Sequence, residues 1–543
     1  MACVADVVAQ TLVELGVGTC FGVVGSGNFV LTNALRARGV PFVATRHEGG
    51  AASMADGYGR VADVPALVSV HQGCGLTNAM TGIAEAAKSR TPMLVLAADS
   101  AAGAVLSNFN IDQDALARSV GAVADRVHGP GSAVADVTRA YRTAVQGRRT
   151  VVLSLPLDIQ AAELAAPDAA ATLLTCDPVR PSADSVAALQ ELIEAAERPV
   201  FVAGRGGRAA GAQIAELAAR AGALVATSAV ANGLFRGDHF DLGISGGFST
   251  PLTAELIRSA DLIVGWGCAL NMWTMRHGTL IGAQTAVVQV DDDQSALGAH
   301  RPITMGIHGD CGATAADLID AIVEERTGYR TVEVARRLAA GRRWNDVTTT
   351  DISTADRIDP RVFSAVLDGA LPSERVVAVD SGNFMGYPSA YLRVPDENGF
   401  VFTQAFQSIG LGLSSGIGAM LARPDRLAVV AAGDGGFLMG VAELETAVRL
   451  GRPMLIAVYD DAAYGAEVHH FGPDTDLGSV TFPDTDIAAL ARGFGAAAVT
   501  VRSRADMEHV VTWLDSPSGV LVVDVKIASD GGAWWLAEAF TGH

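Results

Sequence analysis

Gly433–Asp461 reads GDGGFLMGVAELETAVRLGRPMLIAVYDD. An apolar run, LAVVAA, leads into Asp434, glycines flank the turn, helical periodicity follows, and a second apolar run ends in two acids. This is the pattern of a strand, a helix and a parallel strand. It puts Asp434 at one strand tip and Asp461, 27 positions on, where the next parallel strand delivers it. A strand, a Gly-rich turn and a helix N-terminus form an anion site, because free backbone N–H groups and the helix dipole point at the ligand. Asp434 there can hold a magnesium ion that bridges two phosphates, with Asp461 as second ligand. Taken singly, each acid reads equally as a turn residue at a strand end.

The same pattern extends outward in both directions. Around this stretch lie RVVAVD (Arg375 to Asp380) and VLVVDV; upstream lie PVFVAG (Pro199 to Gly204), ALVAT, DLIVGWG and AVVQVDDD; nearer the start lie TCFGVV, PALVSV, PMLVLAA and TVVLSLPL. The expected fold class is α/β, with three domains at 1–165, 183–326 and 355–543, each a parallel sheet flanked by helices. Ala165–Ser185, rich in Pro, Asp and small residues, reads as a linker, and a helix is expected around Asp317–Glu324 before a polar, charged passage, Arg326–Arg357. Ala84–Asp99 and Glu443–Asp461 share a helix, a basic residue, a Pro-Met-Leu strand entry and an acidic strand end. That echo suggests that the first and third units are structural relatives.

The 543 residues are half hydrophobic and 18% charged, enough for several cores, and 60 glycines suit packed strand–helix units with tight turns. A formal charge of −20 argues against nucleic acid or an anionic membrane as partner and leaves a small molecule as the default. Six scattered cysteines without a CxxC pair signal neither a zinc site nor a disulfide framework. The opening MACVADVVAQTLVELGV aligns Val4, Val7, Val8, Leu12 and Leu15 on one helical face and carries acids, unlike a signal peptide. The expected location is the cytoplasm.

In the first unit FVATRHEGGAASMADGYGR places Glu48 at a strand end opening a small-residue helix. Such a Glu compensates a helix dipole; it is also suited to hydrogen-bond a ring nitrogen, with Gly49, Gly50, Ala51 and Ala52 permitting close approach of the ring. FGVVGSGNF puts Ser26 in a Gly-flanked loop after a strand, and VSVHQGCGL puts His71 at another strand end. Strand ends converge on one edge of a parallel sheet, so both can face one crevice. The plainer alternative is a turn serine and a satisfied strand-end histidine.

GDG, a helix, a strand and an acidic doublet, with HE, small residues and GYGR far upstream, resemble the thiamine-diphosphate enzyme family of acetohydroxyacid synthases, pyruvate decarboxylases and benzoylformate decarboxylases. The resemblance spans nearly the whole chain and implies thiamine diphosphate and magnesium as cofactors. It implies a pyrimidine-binding, a middle Rossmann-like and a diphosphate-binding domain, and a homodimer or homotetramer in which Glu48 of one subunit meets the diphosphate site of another. Carried over by position, Asp434 and Asp461 bind magnesium through their side chains and Ala463 through its carbonyl, in a cofactor turn formed with Gly433, Gly435 and Gly436. Glu48 promotes the imino tautomer of the aminopyrimidine and so the ylide, and Ile409 bends the cofactor. The family's usual Asn-Asn is Asp460-Asp461 here, which adds a repulsion of several kcal/mol at about 4 Å and an effective dielectric of about 20.

Ser26 and His71 resemble the benzoylformate decarboxylase loops that handle the substrate carboxylate and proton transfers. His469 and His470 occupy positions of pocket-lining aromatic residues in relatives; adjacent side chains diverge, so at most one reaches the substrate, and a solvated surface pair is the plainer reading. GRGGRAA (Gly204 to Ala210) resembles a Gly-rich nucleotide turn, where some relatives bind FAD and others nothing; the glycines alone can equally shape a strand–helix corner. Arg276 is the sole basic candidate near GWGCALNMWTMRHG, displaced from the arginine of the synthases. The expected activity is decarboxylation or carboligation of a 2-oxo acid through an enamine. The alternatives are an acetolactate-synthase-type carboligase, an FAD-dependent oxidase and a catalytically silent family member.

Overall fold

The computed structural model describes residues 2–62, 64–164, 173–531 and 535–536. It contains three six-stranded parallel sheets flanked by helices. The first runs Phe42–Ala44, Cys20–Gly22, Ala66–Val70, Met93–Asp99, Thr150–Pro156 and Val123–Arg126 in spatial order. The last runs Phe400–Phe402, Arg375–Val379, Leu427–Gly433, Met454–Asp460, Val520–Lys526 and Ala497–Val501. Ranked by chain order, both read second, first, third, fourth, sixth, fifth. The echoing segments end in strands, Met93–Asp99 and Met454–Asp460, that hold the same fourth place in their sheets. The middle sheet runs Asp241–Ile244, Leu224–Thr227, Pro199–Ala203, Leu262–Trp266, Ala286–Asp291 and Met305–His308, the third-second-first-fourth-fifth-sixth order of a doubly wound fold.

The central strands read as unbroken apolar runs because helices cover both faces of each sheet, and Met93–Asp99, Thr150–Pro156 and Met454–Asp460 are buried along their whole length. The first and last domains meet through two helices poor in large side chains, Glu48–Val61 and Gly412–Ala422. Here the glycines have a steric reason: a Cβ on Gly57 would lie 2.1 Å from the Ser415 carbonyl oxygen, and one on Gly418 would lie 1.9 Å from that of Met54. Of the stretch Gly49–Ala52, expected to make way for a ring, Gly50, Ala51 and Ala52 face protein instead. Ala51 and Ala52 are fully buried in protein, and a Cβ on Gly50 would strike the Glu443 carboxylate.

Ile409 stays outside helix Gly412–Ala422, because Gln407 and Gly410 take positive φ (63° and 91°). Two other expectations shift. The polar passage 326–357 contains a helix, Val332–Gly341, whose Val334 and Leu338 are buried. The helix expected around Asp317–Glu324 spans Cys311–Ala321. Of the expected linker, residues 165–172 lie outside the described residues, and the next helix starts at Ala183. The Gly204–Ala210 turn is a 3-10 corner that packs backbone to backbone: a Cβ on Gly204 would lie 2.3 Å from the Gly267 oxygen, and Gly206 N–H already donates to that carbonyl. Arg276 donates to the carbonyls of Gly246 and Ser249 and so braces a middle-domain loop. No helix among the described residues is long and apolar enough to cross a membrane.

Candidate active site

Asp434 opens helix Asp434–Gly440 directly after its strand, and Asp461 follows the neighbouring strand; Gly433 pairs with Tyr459 in the ladder between them. The crossover thus delivers both acids to one sheet edge. Burial pushes the Asp434 carboxyl up to about 8, helped by the negative charge of Asp461 and then of Asp460. Burial likewise raises Asp461 to about 6 against the hydrogen bond from Ala463 N–H. A buried and a half-buried carboxylate that resist joint ionisation are suited to a divalent cation.

The donor set fits a magnesium ion that also carries phosphate. The Asn383 Oδ1 is buried without a partner among the described residues, and a Cβ on Gly465 would lie 2.3 Å from Asp461 Oδ2 and 3.2 Å from the Asn383 Cβ. Ala462 O and Tyr464 N are engaged by Phe482 and Val480, while no hydrogen bond among the described residues goes to the Ala463 carbonyl. Among the described residues no cluster of three His, Cys, Asp or Glu side chains is arranged for a metal, so a cation here would rely on two carboxylates, main-chain oxygen and the ligand's own oxygens. The turn glycines keep the cradle open: a Cβ on Gly435 would meet the Tyr464 ring at 2.6 Å, one on Gly436 would meet Asp380 Oδ2 at 2.6 Å, and one on Gly433 would meet Phe384 at 3.2 Å.

Asp460, first of the doublet, points elsewhere. Its Oδ2 accepts from Lys526 Nζ at 2.5 Å and its Oδ1 from Ala462 N–H at 3.0 Å. Lys526, fully buried, also donates to Asp484 and the Thr485 carbonyl. The charge at 460 is therefore paired internally, with a lysine that Asp484 and Asp524 share.

In the first domain, His47 N-caps helix Glu48–Val61 through Nδ1, and Glu48 is its first residue. Glu48 Oε2 accepts from Asn78 Nδ2 at 3.0 Å; Oε1 accepts no hydrogen bond among the described residues and lies beside Gly75, at 3.5 Å from where a Cβ would stand. That same Cβ would lie 3.2 Å from the His71 Cβ. Ser26 Oγ and His71 Nε2 are 3.4 Å apart, His71 Nδ1 is 3.0 Å from the Gln72 carbonyl, and the Phe109 ring meets the imidazole edge-on at 4.8 Å. Ser26, His71 and Glu48 are thus gathered on one edge. Gly25 permits the approach, since a Cβ there would lie 2.6 Å from the His71 ring.

Ile409 sits half-buried in the turn ahead of Gly412–Ala422, and that turn is held by Asp380, whose carboxylate accepts from Gly410 N–H at 2.9 Å and Leu411 N–H at 3.2 Å. Burial raises Asp380 to about 6, opposed by these backbone donors. His469 and His470 lie on helix Gly465–Phe471, just past Asp461; His469 is half-buried and His470 exposed, edge-on to Phe471. Sequence reading missed Asn78, Asp380, Asn383 and Lys526. Only Asp380 carried a signal, an acid at the tip of an apolar strand.

Three domain families match in order: the thiamine pyrophosphate enzyme N-terminal TPP binding domain at residues 3–117, the central domain at 186–318 and the C-terminal TPP binding domain at 380–525. The chain belongs to the thiamine pyrophosphate enzyme family. It is similar to the "Probable 2-ketoarginine decarboxylase AruI" of Pseudomonas aeruginosa, 28% identical over 536 residues that cover 96% of this chain and 93% of that protein. A sulfoacetaldehyde acetyltransferase of Alcaligenes xylosoxydans xylosoxydans is 28% identical, covering 85% and 82%, and an acetolactate synthase of Bacillus subtilis is 26% identical, covering 96% and 93%. The chain is a thiamine-diphosphate-dependent enzyme of the lyase or transferase kind.

Proposed function

We propose that the enzyme requires magnesium with thiamine diphosphate and decarboxylates or ligates a 2-oxo acid, at a site most like that of benzoylformate decarboxylase. The observation that carries this reading is the Ser26–His71 pair at 3.4 Å beside Glu48. Bound thiamine diphosphate supplies a carbon nucleophile and an electron sink for cleaving the bond next to a keto group. Glu48, buried and held by Asn78, offers Oε1 to the aminopyrimidine ring nitrogen. Asp434, Asp461 and the Ala463 carbonyl hold magnesium, the Gly433–Gly436 turn receives the diphosphate, and Ile409 supports the bend of the cofactor. His71 moves protons at Nε2, Ser26 orients the substrate carboxylate, and His469 or His470 closes the pocket.

The two halves of such a site belong to different copies. Apolar side chains open at both edges support this: Leu106, Phe109 and Phe29 around the first, Phe406 and Met439 around the second. A homodimer is the minimal unit. The second reading, an acetolactate-synthase-type carboligase, is supported by the Bacillus subtilis relative. Purified protein incubated with thiamine diphosphate, magnesium and a panel of 2-oxo acids, including pyruvate, 2-ketoarginine and benzoylformate, should release carbon dioxide with an aldehyde as main product. A main product that joins two substrate molecules favours the second reading, a yellow flavin spectrum favours an FAD-containing enzyme, and no magnesium-dependent heat on adding thiamine diphosphate defeats both cofactor assignments.

A further inference from the structure

The first and last domains exchange carboxylates across their interface. Glu443, buried at the start of helix Glu443–Leu450, accepts from Arg46 N–H at 3.0 Å and His47 N–H at 2.9 Å through Oε1. Its Oε2 accepts from Thr446 Oγ1 at 2.7 Å. In the other direction Glu85, buried on helix Cys74–Lys88, accepts from Ala405 N–H at 3.1 Å and Phe406 N–H at 2.6 Å. Arg60 fixes Glu85 at 2.6 Å and reaches on to the Phe402 carbonyl.

The two targets are equivalent places. Residues 46–47 follow the edge strand Phe42–Ala44 of the first sheet, and residues 405–406 follow the edge strand Phe400–Phe402 of the last. The next residue after the first pair is Glu48, and three residues after the second pair is Ile409. Glu445 and Arg449 of the same helix add a bond each to the first loop, at the Arg46 side chain and the Ala44 carbonyl. Gly50 is required by this clasp, since a Cβ would lie 2.3 Å from Glu443 Oε1.

We propose that Glu443 and Glu85 are positioning residues: each holds, from the opposite domain, the loop that presents a cofactor-facing side chain, so that packing of the two domains sets where Glu48 and Ile409 stand. The inference rests on the cofactor roles given to those two residues above. A buried carboxylate that accepts two backbone N–H groups fixes a loop more firmly than a solvated turn does, because both amides lose their partners if it moves. The clasp is within one chain, so each copy brings its own Glu48 loop ready-set to the site completed by its partner.

Glu443→Asp tests this, since it retracts the carboxylate by one methylene and keeps its charge. In the protein without cofactor, amide hydrogen exchange of a peptide spanning residues 42–50 should show two amides losing protection at least tenfold. With thiamine diphosphate and magnesium, deuterium exchange at the thiazolium C2 of the bound cofactor should slow at least tenfold, while the cofactor Kd stays within threefold. Glu443→Gln, which keeps a carbonyl acceptor, should stay within threefold of wild type in both. Unchanged C2 exchange in Glu443→Asp despite loosened amides overturns the proposal, and so do amides that remain protected. If Glu443→Asp does not fold, Thr446→Val removes only the hydroxyl that steadies Oε2: C2 exchange slowed threefold or more supports the role, and wild-type exchange overturns it. Wild-type protein that neither binds nor exchanges the cofactor sinks the functional reading and the role with it, whereas amide protection at 46 and 47, read without cofactor, still decides whether the clasp exists.

Discussion

The first and last domains share one sheet order and differ at their strand tips. The first presents Ser26, His71 and Glu48, with its other strand-tip acid, Asp99, paired to Arg126; the last presents Asp380, Asp434, Asp460 and Asp461. One scaffold therefore yields an edge suited to proton transfer at a neutral ring and an edge suited to a cation and phosphates. The second edge also sorts its own charges: Asp460 is paired with Lys526, while among the described residues no Lys or Arg side chain is bonded to Asp434 or Asp461, and burial holds both above the usual carboxylate range. Identical topology fixes where side chains go, and the side chains decide the chemistry.

The sharpest break of this comparison is Glu48→Gln. Gln keeps an oxygen for Asn78 yet cannot share a proton with a ring, so kcat should fall by about 10² to 10⁴-fold while the thermal midpoint stays near wild type. Full turnover would remove the first edge from the chemistry.

Lys526→Met tests the sorting of charge in the last domain. Leaving Asp460 buried without its cation should cost about 3–5 kcal/mol in denaturant unfolding. The double variant Lys526→Met with Asp460→Asn should recover part of that loss, because buried Asp524, 3.3 Å from Lys526 Nζ, and Asp484 lose the same cation; a double variant no more stable than the single would show that Asp460 is not the acid that needs Lys526.

A smaller effect is expected from His71→Ala, roughly 10- to 100-fold in kcat with a changed product ratio and little change in cofactor affinity. Rate and products both unchanged would reduce the Ser26–His71 contact to loop packing. Smallest is Asp461→Asn: removal of one of two repelling carboxylates, with an oxygen ligand retained, should leave magnesium-dependent cofactor affinity equal or a few-fold tighter by calorimetry. A collapse of affinity would mean that the second charge is required.

Much of this site was legible locally. Asp434 and Asp461 could be placed because one crossover sets their spacing and strand tips converge, and Ser26 with His71 by the same rule. The small residues of helix Glu48–Val61 were legible as a pattern but not as a contact, since Gly57 meets helix Gly412–Ala422, more than 350 positions away, and Gly50 meets Glu443. Ile409 could be aligned with a motif, yet its exit from the helix depends on positive φ at Gln407 and Gly410 that apolar periodicity does not register. Lys526 ends a strand that is apolar apart from Asp524, and nothing near it in the chain announces Asp460 as its partner.

Periodicity, glycine punctuation and strand-tip acids by themselves determined that this chain builds parallel α/β units with a glycine-rich turn and an acid at Asp434. Those signals are local, arising within a single strand–helix–strand unit. Tertiary structure alone decided which acid is paired with a buried lysine and which is not, and which carboxylate holds the loop of the opposite domain. Burial and charge pairing between residues hundreds of positions apart exist only once the sheets have packed.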